Sequence, residues 1–358
     1  MGFFHCPTII WSGNGALDRI SSFQCRKVLV VTDRYFAESG KALEIGRMVP
    51  DAEVHIFDQV RPDPSAELAA EGAALCQSVC PDLLIALGGG SVLDCAKAIR
   101  FAADVPMVFV AIPTTSGSGA EMTSYSILTH GNVKYPLVDA SLRPDYAILD
   151  DRLLSGMPKQ LIADTGMDLL AHSLEALASI NRTGITDALA LHAASIAMQH
   201  LTASFHGDNS VRGLLHEAAS MAGMAFDHAG LGVCHALAHA MGGAFHIPHG
   251  RLCAILLLAV LEFNKPMALR QYAMLARLCG CSAAADQSAF RYLTASVRQL
   301  RRKLQMPETL KEAGVTKAQW DEKKQEILHA AWKDPCCKTN PVEVSEAGLA
   351  AICSEVCP

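Results

Sequence analysis

DLLIALGGGSVLDCAKAI, residues 82–99, runs from an apolar stretch through three glycines into a helical pattern. Leu83 to Leu87 has the length and continuous apolarity of a strand buried on both faces, as in a parallel sheet. From Val92 to Ala103 the apolar positions recur every three to four residues, the period of an amphipathic helix. Gly88, Gly89, Gly90 and Ser91 join the two. Glycine allows close backbone approach, and the N–H groups and positive dipole end of a following helix suit a phosphate. The same triplet also suits a tight strand-to-helix turn with no ligand. Its place favours the phosphate, because open α/β sheets bind ligands at the carboxyl ends of their strands.

Working outward, KVLVV (27–31), AEVHIF (52–57) and PMVFVAI (106–112) are further β-branched runs, and SAELAAEGAALCQSV (65–79) is a further helical segment. This alternation predicts a Rossmann-like parallel sheet with crossover helices. After about residue 155 the strand signals stop. Helical periodicity then runs to the C-terminus, punctuated at Asn181, Gly184, Gly213, Pro248 and Pro266. The expected division is an α/β dinucleotide-binding domain over 1–156 and an all-helical domain over 157–358, with a cleft between them as the natural ligand site.

Bulk properties narrow the function. A formal charge of −6 and the lack of a Lys/Arg run argue against nucleic acid, which needs clustered cations. The longest apolar run, CAILLLAVLEF from Cys253, is short of the roughly 20 residues that cross a bilayer and reads as a buried helix. Thirteen scattered cysteines, none in paired C-x-x-C spacing, and an N-terminus without a signal-peptide pattern suggest free thiols in a reducing cytoplasm. A soluble enzyme acting on small molecules is the expectation.

Two more strand ends bear on a coenzyme. VFVAIPTTSGSGAEMT (108–123) leads into Thr114, Thr115 and a loop of hydroxyls and backbone donors suited to pyrophosphate and ribose. VLVVTDRY ends on Asp33, whose carboxylate could accept from an adenosine ribose and repel a 2′-phosphate, favouring NAD over NADP. Taken alone, Asp33 reads equally well as a helix N-cap or an exposed loop acid.

GLGVCHALAHAMGGAFHIPHG, residues 230–250, holds His235, His239, His246 and His249. His235 and His239 at i, i+4 share a helix face and invite a metal pair, but Ala236 stands where a zinc protease needs glutamate. Asp168 and His172 in ADTGMDLLAHSLEA are also at i, i+4, and His249 follows Pro248 at a break. Five candidates in two segments predict a metal site, although a lone histidine on an apolar helix would read as a satisfied core residue.

Together GGGSxxDxAK (88–97), PTTSGSGAE (113–121), GMDxxxHxxEA (166–176) and the H-x-x-x-H…P-H-G run resemble the iron-containing alcohol dehydrogenase family over nearly the whole chain, and within it the 1-propanol and ethanol dehydrogenases of bacterial microcompartments. The resemblance implies a dehydroquinate synthase-like fold, with Asp168, His172, His235 and His249 as metal ligands and His239 beside nicotinamide and substrate in proton relay. His246 matches no ligand position. For NAD(H) it implies Asp33 and Asp63 near the adenosine, Gly89, Gly90 and Ser91 at the pyrophosphate, and Thr114, Thr115, Thr123, Lys134 and Leu153 around the ribose and nicotinamide. Asp94 and Lys97 belong to the first motif but have a purely structural reading as a pair. Ser118, Ala120, Asp151 and Asp63 depart from the commoner family residues.

Three imidazoles and a carboxylate suit Fe²⁺, and also Zn²⁺ or Mn²⁺. The expected activity is NAD-dependent interconversion of short-chain aldehydes and primary alcohols by a homo-oligomer, without nucleic acid or membrane, in association with a microcompartment. A polyol dehydrogenase is the alternative on the same fold. A dehydroquinate synthase-like cyclase ranks low, because a phosphorylated substrate needs more cations than Lys159, Arg182, Arg212 and Arg251 provide. A non-catalytic assembly subunit should have lost ligands, and all four are present.

Overall fold

The computed structural model describes residues 3–131 and 133–357. The chain divides into two compact units, His5–Met157 and Pro158–Pro358, the latter joined by the N-terminal residues through Phe4. In the first unit, strands β1 (Ile9–Ser12), β2 (Lys27–Asp33), β3 (Glu53–Val60), β4 (Leu83–Gly88), β5 (Val108–Pro113) and β8 (Tyr146–Leu149) form a parallel sheet in the order β1-β8-β5-β4-β2-β3. Helices α1 (Arg34–Glu38), α2 (Lys41–Gly46), α3 (Ala66–Val79) and α4 (Gly90–Ala103) lie between its strands in sequence. β6 (Tyr125–His130) and β7 (Val133–Val138) make a separate antiparallel hairpin.

The two-residue period of the strands builds both faces of the sheet. Leu29, Val31, Leu84, Ala86, Phe109 and Ala111 enter one buried cluster with Val92, Leu93 and Ile99 of α4. Val28, Val30, Leu83, Ile85, Leu87, Val110 and Ile112 enter the other with Ile45 and Ile148. A strand buried on both sides cannot show polar alternation, which is why these runs are uniformly apolar.

The second unit contains α5 (Lys159–Ala178), α6 (Gly184–Phe205), α7 (Arg212–Ala229), α8 (Val233–Phe245), α9 (His249–Leu278), α10 (Asp286–Lys303), α11 (Lys317–Lys333) and α12 (Glu346–Ser354). From Met167 to Ala178 every residue of α5 is buried. It packs against α6, α7 and α9. Thr183 and Thr186 form a capping box that starts α6, and Thr316 and Gln319 form one that starts α11.

One expected break point does not break. Gly213 falls in the first turn of α7, beside the break after α6, but Pro266 lies inside α9, which runs for 30 residues. Proline inside a helix costs about 3 kcal/mol through its missing N–H and ring clash. Leu256, Leu257, Val260 and Leu261 before it, and Ala268, Tyr272 and Leu275 after it, are all buried, so packing on both sides holds one continuous helix. α9 is therefore longer than its apolar core suggests, and among the described residues it is the one helix long and apolar enough to cross a membrane.

Candidate active site

Register places the three expected coenzyme strand ends side by side. Leu87 of β4 is paired with Thr32 of β2, and Gly88 with Pro113 of β5. Asp33, the glycine turn and Thr114 therefore follow on adjacent strands, and Thr114 N–H donates to the Gly88 carbonyl at 3.0 Å. Sequential strands depart in opposite directions from β2 and β4, so this is the topological switch point where such sheets bind ligands. Gly89 is the N-cap of α4 and offers no side-chain cap. The first N–H groups bonded back to its carbonyl are those of Val92 and Leu93, which leaves the amides of Gly90 and Ser91 at the mouth of the helix. A Cβ on Gly90 would lie 3.0 Å from the Ser118 side chain, and one on Gly89 3.3 Å from Thr115. The turn leaves two backbone N–H groups at a helix start and has no room for larger side chains at Gly89 and Gly90.

The remaining coenzyme residues are placed less uniformly. Asp33 Oδ1 accepts from Phe36 N–H at 3.1 Å and caps α1, so part of its carboxylate serves the fold. Asp63 has a left-handed φ of 56°, in the segment between β3 and α3. Thr123 is buried, and Lys97, itself 0 % exposed, donates to its Oγ1 and carbonyl at 2.8 and 2.9 Å and to the Tyr125 carbonyl at 2.7 Å. Lys97 thus anchors the loop after β5. Leu153 packs partly buried against the sheet, and the side chain of Lys134 lies outside the described residues.

In the helical unit, Asp168 and His172 project from α5, His235 from α8 and His249 from the first position of α9. Asp168 Oδ1 lies 3.4 Å from His249 Nε2, 3.6 Å from His235 Nε2 and 3.9 Å from His172 Nε2. The His172 ring stacks between Phe226 and His235, at 4.4 Å from each. Cys253, one turn beyond His249, joins the cluster with Sγ 3.6 Å from His249 Nε2 and 3.7 Å from Asp168 Oδ1.

The cluster fits a divalent cation. His235 is 1 % exposed, yet its Nε2 has no hydrogen-bond partner among the described residues. A buried polar atom left unsatisfied costs about 1–3 kcal/mol, and a cation at that point removes the cost. The electrostatics agree. Burial opposes a charged imidazole, but the carboxylates of Glu175 and Asp168 push His235 up to about 10. Burial likewise opposes the Asp168 carboxylate, and His172, His249 and His235 hold it well below the usual range. Carboxylates that favour a positive charge at this point would favour a divalent ion there too, and such an ion would compete with the proton for the imidazole.

Behind the cluster lie residues absent from the sequence-based assignment. Glu175 is 3 % exposed, and its Oε2 accepts from His235 Nδ1 at 2.5 Å while Oε1 accepts from Cys234 N–H at 2.6 Å. A carboxylate on Nδ1 fixes the tautomer that aims the Nε2 lone pair at the cluster. Glu175 did have a local signal, three residues after His172 in the H-x-x-E-A motif. Asp334, which follows α11, had none. Its Oδ2 accepts from His239 Nδ1 at 2.8 Å, and Oδ1 from Cys336 N–H at 2.8 Å. Burial would raise the Asp334 carboxyl, yet the bond from His239 and its charge bring it down to about 2. The His239 ring stacks on that of His249, with centroids 5.2 Å apart. His246 takes a left-handed φ of 54° and ends α8.

Tight packing brings α9 to α5. Arg251 clasps Asp164 at 3.1 and 2.8 Å, and a Cβ on Gly250 would fall 1.9 Å from the Asp164 carbonyl oxygen.

Residues 7–151 match the model of iron-containing alcohol dehydrogenases, and residues 162–357 match the C-terminal model of the Fe-containing alcohol dehydrogenase family. The chain is 37 % identical to a 1-propanol dehydrogenase PduQ of Citrobacter freundii, over 99 % of this chain and 100 % of that one. It is 35 % identical to an NADPH-dependent butanol dehydrogenase of Clostridium saccharobutylicum, over 96 % and 95 %. Among solved structures it is similar to sulfoacetaldehyde reductase from Bifidobacterium kashiwanohense in complex with NAD⁺, with a TM-score of 0.88, 25 % identity and coverage of 99 % and 98 %.

Proposed function

The chain belongs to the iron-containing alcohol dehydrogenase family, and from that premise we propose that Asp168, His172, His235 and His249 hold the iron and that His239 exchanges the proton the reaction moves. The protein is an NAD-dependent alcohol dehydrogenase interconverting short-chain aldehydes and primary alcohols. The observation that supports the ligand set best is the orphaned, buried Nε2 of His235 facing Asp168. When bound, iron supplies a Lewis acid for the substrate oxygen and the coenzyme supplies or accepts the hydride.

The chain's own residues do the rest. Glu175 and the stacked Phe226 hold two of the imidazoles in orientation. Asp334 occupies Nδ1 of His239, so Nε2 is the atom that takes the hydroxyl proton in oxidation and returns it in reduction. The His239 side chain is 21 % exposed, enough to pass that proton to water. At the coenzyme end, Gly89, Gly90 and Ser91 would cradle the pyrophosphate, Asp33 and Asp63 would face the adenosine, and Thr114, Thr115, Thr123, Lys134 and Leu153 would line the ribose and nicotinamide.

The cyclase reading gains no support, because Arg251 is committed to Asp164 and Arg182 to Asp187, leaving them unavailable to a substrate phosphate. We further propose, from the change of sequence pattern near residue 155, a nucleotide-binding domain over 1–156 and a catalytic domain over 157–358, and a cytoplasmic homo-oligomer whose association with a bacterial microcompartment rests on resemblance alone.

Iron-loaded protein, kept anaerobic, should consume NADH faster than NADPH with acetaldehyde or propanal. His249→Ala should lose both bound iron and turnover. Retention of metal content and activity by that variant would overturn the ligand set.

A further inference from the structure

We propose that His239, Asp334 and Cys336 form a second cation site, suited to a soft divalent ion such as Zn²⁺ or Cd²⁺, whose filling stops the reaction by withdrawing His239 from proton exchange. The site is separate from the Asp168 cluster, and its three donors differ in chemistry: an imidazole nitrogen, a carboxylate oxygen and a thiol sulfur. One donor atom from each lies within 4.8 Å of the other two, and all three residues are half-buried. Three protein ligands with a fourth position open to water is a common zinc arrangement.

The donors are held before any ion arrives. Asp334 caps the short 3-10 turn Pro335–Thr339, with Oδ1 on Cys336 N–H, which ties carboxylate and thiol to one rigid piece of backbone. The same carboxylate meets His239 Nδ1 through Oδ2, so the imidazole is already turned toward the site. The neighbouring thiol is excluded, since Cys337 Sγ donates to the Ala331 carbonyl at 3.1 Å.

Charge and softness select the ion. One carboxylate and one thiolate neutralise a divalent cation, whereas the ligand set proposed above for iron, Asp168, His172, His235 and His249, has one carboxylate and no thiolate, Cys253 standing beside it. Thiolate favours Zn²⁺ and Cd²⁺ over the harder divalent ions. On binding, Cys336 releases its thiol proton to solvent, and the Nδ1 proton of His239 is transferred, through solvent, to Nε2 as the imidazole changes tautomer. No electrons move. Nε2 then carries a proton and can no longer accept one from an alcohol. This inhibitory half rests on the role proposed above for His239, and the site itself rests only on the three side chains.

The test uses the full chain loaded with iron under anaerobic conditions and titrated with Zn²⁺ or Cd²⁺. The expected result is one further equivalent of metal with iron retained, a thiolate-to-cadmium charge-transfer band in the ultraviolet, and loss of alcohol-dependent NAD⁺ reduction that a chelator reverses. Cys336→Ser should abolish the band and weaken zinc binding by roughly tenfold or more, and Cys337→Ala should keep both. Metal content and the cadmium band need no turnover, so failure of the reductase reading and failure of the second site register separately. Displacement of iron by zinc one for one, or a cadmium band that survives Cys336→Ser, would overturn the proposal.

Discussion

Gly250→Ala should cost the protein its metal far more than its fold. Gly250 stands in the first turn of α9, directly after His249, and an added methyl would sit 1.9 Å from the Asp164 carbonyl oxygen, 2.6 Å from its carbonyl carbon and 3.2 Å from the Asp168 Cβ. Ordinary contact begins at about 3.4 Å, so α9 and α5 would have to separate locally by about 1.5 Å (3.4 − 1.9). None of the three atoms is the end of a flexible side chain, so the strain cannot be relieved by a rotamer change. Overpacking of this kind costs about 1–3 kcal/mol in stability. The larger effect is on the 3.4 Å approach of His249 to Asp168, because metal–ligand distances tolerate only about ±0.2 Å. Iron affinity should fall by at least the roughly 10–100-fold typical of a disturbed supporting residue. The assay is anaerobic iron titration with metal analysis, alongside chemical denaturation of the metal-free protein. Gly184→Ala is the control, since nothing lies within 4 Å of its Cβ and it opens α6. If Gly250→Ala bound iron within about threefold of the parent, a range too small for a displaced ligand, the argument that this close approach positions His249 would be wrong.

Glu175→Gln keeps the size of the buried carboxylate but removes the charge that holds the His235 tautomer, and should weaken iron roughly 10–100-fold while leaving the fold cooperative; unchanged affinity in a metal titration would contradict this role. Lys97→Met removes the donor to three oxygens of the loop after β5, and should lower unfolding free energy by about 3 kcal/mol or more in urea and weaken NADH binding measured by fluorescence. The metal-free protein should lose stability as pH rises. His235 is raised to about 10, so its protonated form stabilises the fold fully below the unfolded value near 6.5, and this contribution fades as pH climbs toward 10. Asp168, held low, contributes above its unfolded value near 3.9 and loses its contribution on acidification. With iron in place of the His235 proton, the alkaline loss should disappear, and parallel denaturation profiles of loaded and metal-free protein between pH 7 and 10 would count against the exchange.

Much of the first unit could be read directly. Strands buried on both faces must be apolar throughout, and helices between them must keep a three-to-four period, so β2 to β5, α3 and α4 announced themselves. β1 and β8 did not, because IIWS and YAIL are four residues each and exist as strands by pairing in the sheet, β8 with both β5 and β1 and Ile9 opposite Tyr146. The hairpin β6–β7 lies outside the predicted runs, with Pro136 inside a strand. Pro266 shows the converse, a strong local signal overruled by packing on both sides.

What the sequence alone determined is the chemistry available: the glycine turn after a buried strand, and a stock of imidazoles and one carboxylate on helices of known period. It also carried, through several motifs in order, the resemblance that proposed the ligand set. The i, i+4 spacing of His235 and His239 could not by itself show that the two neighbours part company, which only the resemblance implied. Only tertiary structure decided that Glu175 takes Nδ1 of the first and Asp334 Nδ1 of the second. The reason is physical: a histidine's role depends on which of its two nitrogens is occupied, and the occupying carboxylates lie 60 and 95 residues away in the chain. Periodicity reports which face of a helix a residue occupies, but not what waits opposite it.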